Sequence, residues 1–477
     1  MTVLRHSLRL SPAVGFAAAL LCLSSTVAQT DRLIEPIYLA PGSDVARVVN
    51  NSPSGSTFVF KAGVFRMQSI IPKDGDSFSG QGQVILSGSA VLTFRPDPSS
   101  RQRWMADAKS IGTFHGNCQK DYPLCGYTQD LFVDGNLQQP VVDIHDLRLG
   151  KWYFDRTSNI VYLSTPPAGH QITLSSIADA FHGSATNVRI SNLIVEQYAT
   201  PAQRGAIGGN RTGEKWTISD VEVRWNHGAG CDVGPGSQII HSRIHHNGQL
   251  GISASGADVS VLENEIAWNN FAGFSTTWEA GGAKFWATTD LLVKSNDVHD
   301  NNGNGLWTDT DNVGALYENN IVKHNKGSGI AHEVSGRAII RNNTVEDNGT
   351  DLPANWLWNG QIQVQNSSDV EVYGNNVIVP AIGGNGIVII NQARGSGAIG
   401  PWIAAHNSIH NNVITYRSAR GISGYADDTH QNANDDNHFD YNHHIALAGG
   451  QHWAWEGIRT WSDLKRMRQE EHGQCCN

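Results

Sequence analysis

The residues best suited to chemistry are two carboxylates, Asp309 and Glu333, at equivalent positions of neighbouring sequence repeats. Each lies four residues after a repeat glycine, Gly305 or Gly329. Two such carboxylates side by side, with no lysine between them, are costly unless a proton, a cation or a substrate compensates their charge. Paired carboxylates also cleave glycosidic bonds, with one group as acid and the other as nucleophile or base. The spacing therefore predicts a catalytic pair.

Three neighbouring repeats place further polar and aromatic side chains on the same predicted face. Aromatic faces stack on sugar rings and amides bind hydroxyl groups, so this face has the composition of a carbohydrate groove. The residues predicted to bind substrate are Trp278, Glu279, Trp286, Trp307, Asp311, Gln363, Gln365 and Arg394.

Three basic residues near this face are candidates for other roles. Lys284 alternates outward before Asp309 and is a candidate catalytic residue. His332 precedes Glu333, and by alternation it points inward or towards a turn, so a structural role competes with that of a general base. Arg394 is suited to binding a uronate carboxylate or to acting as the base of an elimination.

The elements that must position these residues are visible as an internal repeat. Five segments place Asn four residues before Gly, and the successive glycines are 21 to 32 residues apart. The repeat glycines are Gly230, Gly251, Gly273, Gly305 and Gly329. The longest step contains an insertion of about nine residues centred on 278–282. Between the markers, apolar residues alternate or form short Val and Ile runs, which is typical of strands.

Such a repeat of short strands and Asn/Gly turns predicts a parallel β-helix over 180–424, with the five glycines in one column. The asparagines are expected to stack as an amide ladder, because Asn tolerates left-handed turns and bonds its own backbone. Residues at equal offsets would then stack about 4.8 Å apart on one face.

The remaining chain divides by composition and periodicity. Residues 1–28 are typical of a signal peptide, with Arg5 and Arg9 before a short apolar run. Residues 30–95 are expected to start the β-helix under an N-terminal cap. The periodicity is lost in 96–176, which predicts an inserted antiparallel β subdomain. The main β-helix is expected over 177–424, and a C-terminal cap over 425–477.

The cysteines predict one disulfide. Cys118 and Cys125 enclose a short loop, and a bridge between them requires Cα atoms about 4.4–6.8 Å apart. Cys231 is expected to be a buried apolar residue. Adjacent Cys475 and Cys476 are poorly suited to pairing with each other because such a ring is strained.

Charge and composition restrict the partners of the 477-residue chain. Its net charge is −10, which disfavours nucleic acid. No segment approaches the about 20 apolar residues of a membrane-spanning helix. The pairs His245-His246 and His443-His444 would point to opposite faces of a strand, so no metal is expected, nor any other cofactor. We expect a monomer, secreted or periplasmic after cleavage of the signal peptide.

The Asn/Gly repeat and the interrupted first coils resemble the right-handed parallel β-helix proteins of the pectin-lyase-like superfamily, in its secreted bacterial branch with an inserted β subdomain. The resemblance covers nearly all of the mature chain. It implies an enzyme that cleaves or epimerises polysaccharides, since most members do so, although adhesins and tailspikes also belong. The polygalacturonase and calcium-dependent pectate-lyase motifs are missing.

The sequence therefore predicts a secreted carbohydrate-active enzyme that cleaves glycosidic bonds of a polysaccharide, with hydrolysis preferred. Two alternatives stay open: a polysaccharide lyase or epimerase acting on uronates, and a non-catalytic surface or glycan-binding protein.

Overall fold

Each sequence repeat folds into one coil of three short strands, because its apolar residues alternate inward and its Asn/Gly turns redirect the chain. The computed structural model describes residues 35–210, 213–350, 356–429 and 436–476, so the predicted signal peptide lies outside the described residues. Strands of successive coils pair in parallel, and the molecule is a parallel β-helix with three long faces. We call these faces sheets 1, 2 and 3, in the order in which the chain passes through them within each coil.

Three strands begin the solenoid, and the second and third of them run along both sheets 1 and 2: Ile37–Leu39, Thr57–Arg66 and Ser77–Ser87. The other strands of sheet 1 are Arg189–Ser191, Thr217–Ser219, Gln238–Ile240, Ser260–Leu262, Leu292–Lys294, Ala315–Glu318, Ala338–Arg341, Val370–Tyr373, Ser408–His410 and His438–Asp440. Those of sheet 2 are Ile194–Glu196, Glu222–Arg224, Arg243–His245, Glu265–Ala267, Asp297–His299, Ile321–Lys323, Thr344–Glu346, Asn376–Val379, Val413–Tyr416, His443–Ala446 and Gln474–Cys475.

Sheet 3 carries the candidate catalytic pair. Its strands are Gly205–Ile207, Ala229–Val233, Leu250–Ala257, Gly281–Thr289, Asn304–Asp309, Ile330–Glu333, Gly360–Gln365, Asn385–Asn391, Ser423–Asp427, Trp453–Trp455 and Ile458–Arg459. All of its neighbouring strands pair in parallel except the last two. A hairpin of Ser396–Gly397 and Gly400–Pro401 projects near its C-terminal half.

The repeat glycines form the predicted column, with one exchange. In Gly230, Gly251, Gly282 and Gly305, a Cβ atom would meet the carbonyl oxygen of the glycine one coil further along. Gly273 is therefore not part of the column, and that prediction is wrong: Gly282 takes its place. Residues 271–280 form the insertion, and Gly273 lies with positive φ against Tyr122.

The residue after each column position points inward and stacks on its equivalents. This core row is buried and consists of Cys231, Ile252, Ala283, Leu306, Ile330, Ile362 and Ile387. Cys231 is thus the buried apolar residue that the sequence predicted.

Two buried amide ladders join the coils at the turns. One runs through Asn226, Asn247, Asn269, Asn301, Asn325 and Asn348 and ends on Gln361. The other includes Asn264, Asn296, Asn320, Asn343, Asn375, Asn412 and Asn442 and ends on Glu470. In each step between amides, one side-chain oxygen accepts from the backbone and side-chain N–H groups of the previous asparagine, whereas Glu470 accepts these two bonds from Asn442 with separate oxygens.

The ladder asparagines are not the left-handed residues of the turns, contrary to the reason expected for their presence. The left-handed residue of each turn is the one before the ladder asparagine, such as Asp300 before Asn301 or His324 before Asn325. The ladder asparagines are not left-handed. They are selected because a buried amide can satisfy donors and acceptors on two coils at once.

The inserted subdomain folds as two small, mainly antiparallel sheets. One contains Ser89–Val91, Leu131–Val133, Asn136–Leu137 and Ile172–Ser175; the other contains Arg95–Pro96, Trp104–Asp107, Gln139–Pro140, Lys151–Asp155 and Ile160–Leu163. It has its own apolar core, which includes Trp152 and Val161. Cys118 and Cys125 are bonded, with Cα atoms 5.6 Å apart, within the predicted range.

Short helices lie near both ends of the solenoid. Val45–Asn51 begins after Asp44, whose carboxylate accepts from the Arg47 N–H at 3.1 Å. Trp461–Arg466 has a capping box formed by Thr460 and Asp463. A 3₁₀ turn covers Ile144–Asp146 in the inserted subdomain. In the described residues no helix is long and apolar enough to cross a membrane.

The C-terminal region differs from the prediction in two respects. Parallel strands continue beyond residue 424, where the sequence analysis placed the start of the cap, as far as Gln474–Cys475. The structure also pairs Cys475 with Cys476, the combination that the sequence analysis disfavoured.

The ladder makes a testable prediction at two adjacent residues. Asn375 is buried, accepts from Asn343 and donates to Asn412 and Ile340. Asn375→Ala leaves these groups unpaired, so we expect a loss of about 2–4 kcal/mol in the free energy of unfolding. Urea denaturation measures it. Asn376→Ala, on the exposed side of the next strand, is the matched control; equal effects of the two changes would contradict a role for the ladder in stability.

Candidate functional site

The register of sheet 3 brings the predicted pair together. Asp309 and Glu333 are directly paired on adjacent coils. Trp286 lies in the same column one coil earlier, and Gln365 lies one coil later. The neighbouring column contains Lys284, Trp307, Ala331 and Gln363. Four of the predicted substrate-binding residues, Trp286, Trp307, Gln363 and Gln365, thus lie with the pair in one patch of sheet 3, which we call the sheet 3 site.

Each carboxylate of the pair has a cationic partner. Lys284 Nζ lies 2.8 Å from Asp309 Oδ2, and Arg394 Nη1 lies 2.8 Å from Glu333 Oε1. The expected uncompensated like-charge stack is therefore not what forms. Lys284 reaches Asp309 diagonally from the preceding coil, and Arg394 arrives from a loop 61 residues along the chain.

Trp307 supports this charge arrangement rather than offering an open face to a sugar. Its indole N–H donates to Glu333 Oε2 at 3.1 Å. The Lys284 ammonium lies 4.1 Å from the Trp307 ring centroid, a cation–π contact. Trp307 is only 6% exposed, whereas Trp286 is 47% exposed. Of these two predicted stacking residues, Trp286 is the more exposed.

The environment of Glu333 favours its neutral form. Burial raises the pKa of the Glu333 carboxyl above its usual value, and the nearby charge of Asp309 raises it further. The hydrogen bonds from Arg394 and Trp307 oppose this shift without cancelling it. A carboxyl with a raised pKa beside a second carboxylate is an arrangement that occurs often at catalytic sites.

Glu279 joins the sheet 3 site through Lys284. Its Oε2 atom lies 3.6 Å from Lys284 Nζ, and it accepts a hydrogen bond from the Gln203 side chain at 2.8 Å. Both Glu279 and Lys284 are buried. Sequence reasoning missed Gln203, and no repeat signal marks it, since it lies in a turn three coils earlier.

The predicted glutamine row is partly confirmed in its position. Gln363 donates to Gln365 at 3.1 Å, and Gln365 donates to Gln392 at 3.3 Å. Gln392 in turn donates to Asp428 at 3.0 Å. Gln361, on the same strand, belongs to the amide ladder. Gln392 and Asp428 were not predicted, because they approach from later coils.

Asp311 does not share the face of Asp309. The strand ends at Asp309, and both Thr310 and Asp311 have positive φ, which breaks the alternation on which the prediction relied. The Asp311 carboxylate accepts from the Trp402 indole and from the Ala398 N–H, each at 2.9 Å. It therefore holds the loop that carries Arg394 and is not placed to bind substrate.

His332 points into the core, so its prediction as a catalytic residue is wrong. It is fully buried, its Nε2 donates to the Gly336 carbonyl at 2.7 Å, and its Nδ1 accepts from the Thr308 hydroxyl at 2.6 Å. Burial lowers its pKa to about 4. His332 is a neutral structural residue, the alternative that the sequence left open.

Trp278 packs against the inserted subdomain, so its predicted place in the groove is not observed. It packs beside Phe274, with ring centroids 6.1 Å apart, and against His115 of the inserted subdomain. The inserted residues 271–280 thus pack on the disulfide-bonded loop. Phe274 also forms an antiparallel β-bridge with Cys118 of that loop.

The donor set does not suggest a metal. Among the residues that the structure describes, no group of three or more His, Cys, Asp and Glu side chains could hold an ion. Lys284 and Arg394 occupy the places beside the carboxylates that a cation would take.

Comparison with known proteins supports the fold. A family model described as a right-handed β-helix region matches residues 205–377. The chain is a right-handed parallel β-helix protein. The structure of XylC with xylose is 15% identical, with a TM-score of 0.65 over 80% of this chain and 75% of that one. No curated protein matches the sequence.

A second similar structure is the A-module of the mannuronan C-5 epimerase AlgE4 of Azotobacter vinelandii. It is 15% identical, with a TM-score of 0.50 over 87% of this chain and 91% of that one. Both neighbours establish the shared fold of this β-helix.

The raised pKa of Glu333 predicts a pH-dependent stability difference. An acid whose folded-state pKa is raised destabilises the fold as pH rises through its unfolded and then its folded pKa. Glu333→Gln removes this penalty. We therefore expect the free energy of unfolding of the variant to increase relative to that of the wild type as pH rises from about 4 to 7. Denaturation at several pH values measures this. Glu263→Gln, on an exposed turn, is the control; a difference between wild type and Glu333→Gln that does not grow with pH would contradict it.

Proposed function

We propose that this protein is an exported carbohydrate-active enzyme that hydrolyses glycosidic bonds of a polysaccharide. The observation that carries the proposal is the pairing of Asp309 with Glu333 on adjacent coils, each with its own cation. The two carboxyl groups have different surroundings, which is what separates an acid from its partner.

Glu333 is suited to act as the general acid. Burial and the Asp309 charge raise the pKa of Glu333, so it retains a proton for the leaving-group oxygen at higher pH than an ordinary glutamate does. The Arg394 and Trp307 N–H groups orient its two oxygen atoms.

Asp309 is suited to act as the nucleophile or base. Lys284 compensates the charge of its carboxylate, and the Thr310 hydroxyl donates to its other oxygen at 3.0 Å. These partners fix the side chain opposite Glu333. Whether it attacks the sugar or activates water depends on the separation of the carboxyl groups in the substrate complex.

The surrounding surface is suited to a sugar chain. Trp286, which is paired with Asp309 in the register, is 47% exposed and adds aromatic surface beside it. Gln365, paired with Glu333 in the register, is buried and donates to Gln392, which is half-exposed and extends the polar surface. The comparison structures support carbohydrate as the ligand class, since one contains xylose and the other is named a mannuronan epimerase.

A uronate-specific lyase or epimerase is the second candidate, and Arg394 favours it. This guanidinium is 37% exposed and could turn from Glu333 to a uronate carboxylate, while Lys284 would be the candidate base. The named activity of the AlgE4 neighbour agrees with this reaction class. A non-catalytic glycan-binding protein would use the same surface without turnover.

One experiment separates these functions: incubation of the purified protein with neutral and uronate polysaccharides in ²H₂O. New reducing ends without absorbance from unsaturated uronates indicate hydrolysis. Reducing ends with that absorbance indicate elimination, and deuterium at C-5 without cleavage indicates epimerisation. Binding without any of these changes would overturn the enzymatic proposal.

We expect Asp309→Asn and Glu333→Gln each to lower kcat/KM by about 10²–10⁴, because each removes a group that acts in the transition state. Reducing-end assays on the hydrolysed polymer measure this, with circular dichroism to confirm folding. Asp258→Asn and Glu263→Gln make the same chemical changes at exposed turns of other coils and should retain activity. Full activity of both site variants would refute the assignment.

Arg394 should act on the pH profile. Its hydrogen bond and charge lower the pKa of Glu333, so Arg394→Gln should raise that pKa and move the basic limb of the pH profile to higher pH. Arg394→Lys keeps the charge and should shift the limb less. A loss of activity with an unmoved limb would contradict Glu333 as the acid.

A further inference from the structure

A cavity of about 580 Å³ lies where the inserted subdomain meets the coils, and no step of the proposed reaction uses it. Its walls come from the disulfide-bonded loop, from residues 137–156 of the inserted subdomain, from His227 of the solenoid, and from Phe271 and Ala272 of the loop 271–280. Its volume is within the about 300–1,000 Å³ typical of small-ligand sites.

The inner wall contains a half-buried guanidinium without an anionic partner. Arg156 lies 3.7 Å from the centroid of the Tyr127 ring and 5.1 Å from that of Phe154. Within the described part of the chain, no side chain or carbonyl hydrogen-bonds to it or forms an ion pair with it. Burial lowers its pKa. A guanidinium held against an aromatic face keeps its N–H edge available for a planar carboxylate.

Other cations line the same cavity. His227 donates from Nδ1 to Asp130 at 2.9 Å and from Nε2 to the Cys125 carbonyl at 2.7 Å, as an imidazolium does. Burial lowers its pKa, but Asp130 outweighs this and the pKa is raised. Beyond this internally neutral pair, the lining has three basic side chains, Arg148, Lys151 and Arg156, and two acidic ones, Asp121 and Asp146.

Aromatic groups complete the lining. Tyr122, Tyr127 and Phe271 face the cavity, and Tyr122 is 43% exposed. Gln129, Gln138 and Gln139 provide amides. Rings that stack on sugar CH groups, amides for hydroxyl groups and a free guanidinium for a carboxylate together describe one class of ligand.

We propose that this cavity is a second binding site, which takes an acidic sugar with its carboxylate on Arg156. It binds a uronic acid unit, free or at the end of a saccharide, and it does not depend on catalysis at the sheet 3 site. The two sites share a loop: Phe271 and Ala272 line the cavity, and Glu279, at the other end of residues 271–280, contacts Lys284.

The test is calorimetric titration of the full chain with galacturonate and, as the neutral match, galactose. We expect wild type to bind galacturonate more tightly than galactose, and Arg156→Gln to lose about 10- to 100-fold of that affinity. Arg156→Lys should recover only part of it. Arg189→Gln, an exposed arginine of sheet 1, is the matched control and should bind as wild type does. Titration with a saccharide ending in galacturonate distinguishes a free acid from a chain end.

The result must also separate this cavity from Arg394. Galacturonate binding should persist in Arg394→Gln and in Asp309→Asn, whose loss of activity concerns the sheet 3 site alone. Binding abolished by Arg394→Gln and unaffected by Arg156→Gln would overturn the proposal, as would equal affinity for galactose and galacturonate.

If the Arg156 variants do not fold, two further measurements test the proposal. Lys151→Gln removes a half-exposed cation of the same wall and should weaken binding while the fold is retained. Hydrogen exchange on wild type should show protection by galacturonate in residues 121–130 and 137–156. Protection confined to sheet 3 would refute the second site.

Discussion

The structure depends on the stacking of coils in strict register. Two buried ladders of amide side chains tie each turn to the next, and each ladder residue satisfies polar groups on neighbouring coils. A coil out of register would leave these groups unpaired in the interior, where an unsatisfied polar group costs about 1–3 kcal/mol. Extra residues must therefore leave the solenoid as loops. This is why residues 271–280 and the hairpin after Asn391 project from it and approach the site from outside.

Register also determines the electrostatics of the site. Columns about 4.8 Å apart force Asp309 and Glu333 together, whatever their repulsion. The chain compensates with Lys284 on the preceding coil and Arg394 on a projecting loop, while Trp307 contacts both Lys284 and Glu333. The result is a compact set of charges in which burial and the nearby Asp309 raise the pKa of the Glu333 carboxyl, while Arg394 and Trp307 oppose that shift.

The inserted subdomain extends this logic to a second surface. It contributes its own apolar core, and it is joined to the coils by the buried His227–Asp130 pair and by the packing of Phe274 on the disulfide-bonded loop. The junction leaves a cavity whose wall contains Arg156, a cation that packs on aromatic rings. Residues 271–280 border both this cavity and the sheet 3 site. This loop therefore connects the two sites.

The sequence by itself determined the solenoid, the glycine column apart from Gly273, the amide ladders and the pairing of Asp309 with Glu333. All of these follow from one local period, and a period can be counted along the chain. Only the tertiary structure decided the partners of the pair. Arg394 reaches Glu333 because Asp311 and Trp402 hold its loop, and Asp311 does so because two left-handed residues end its strand. These contacts join residues that share no period, so no counting along the sequence could have found them.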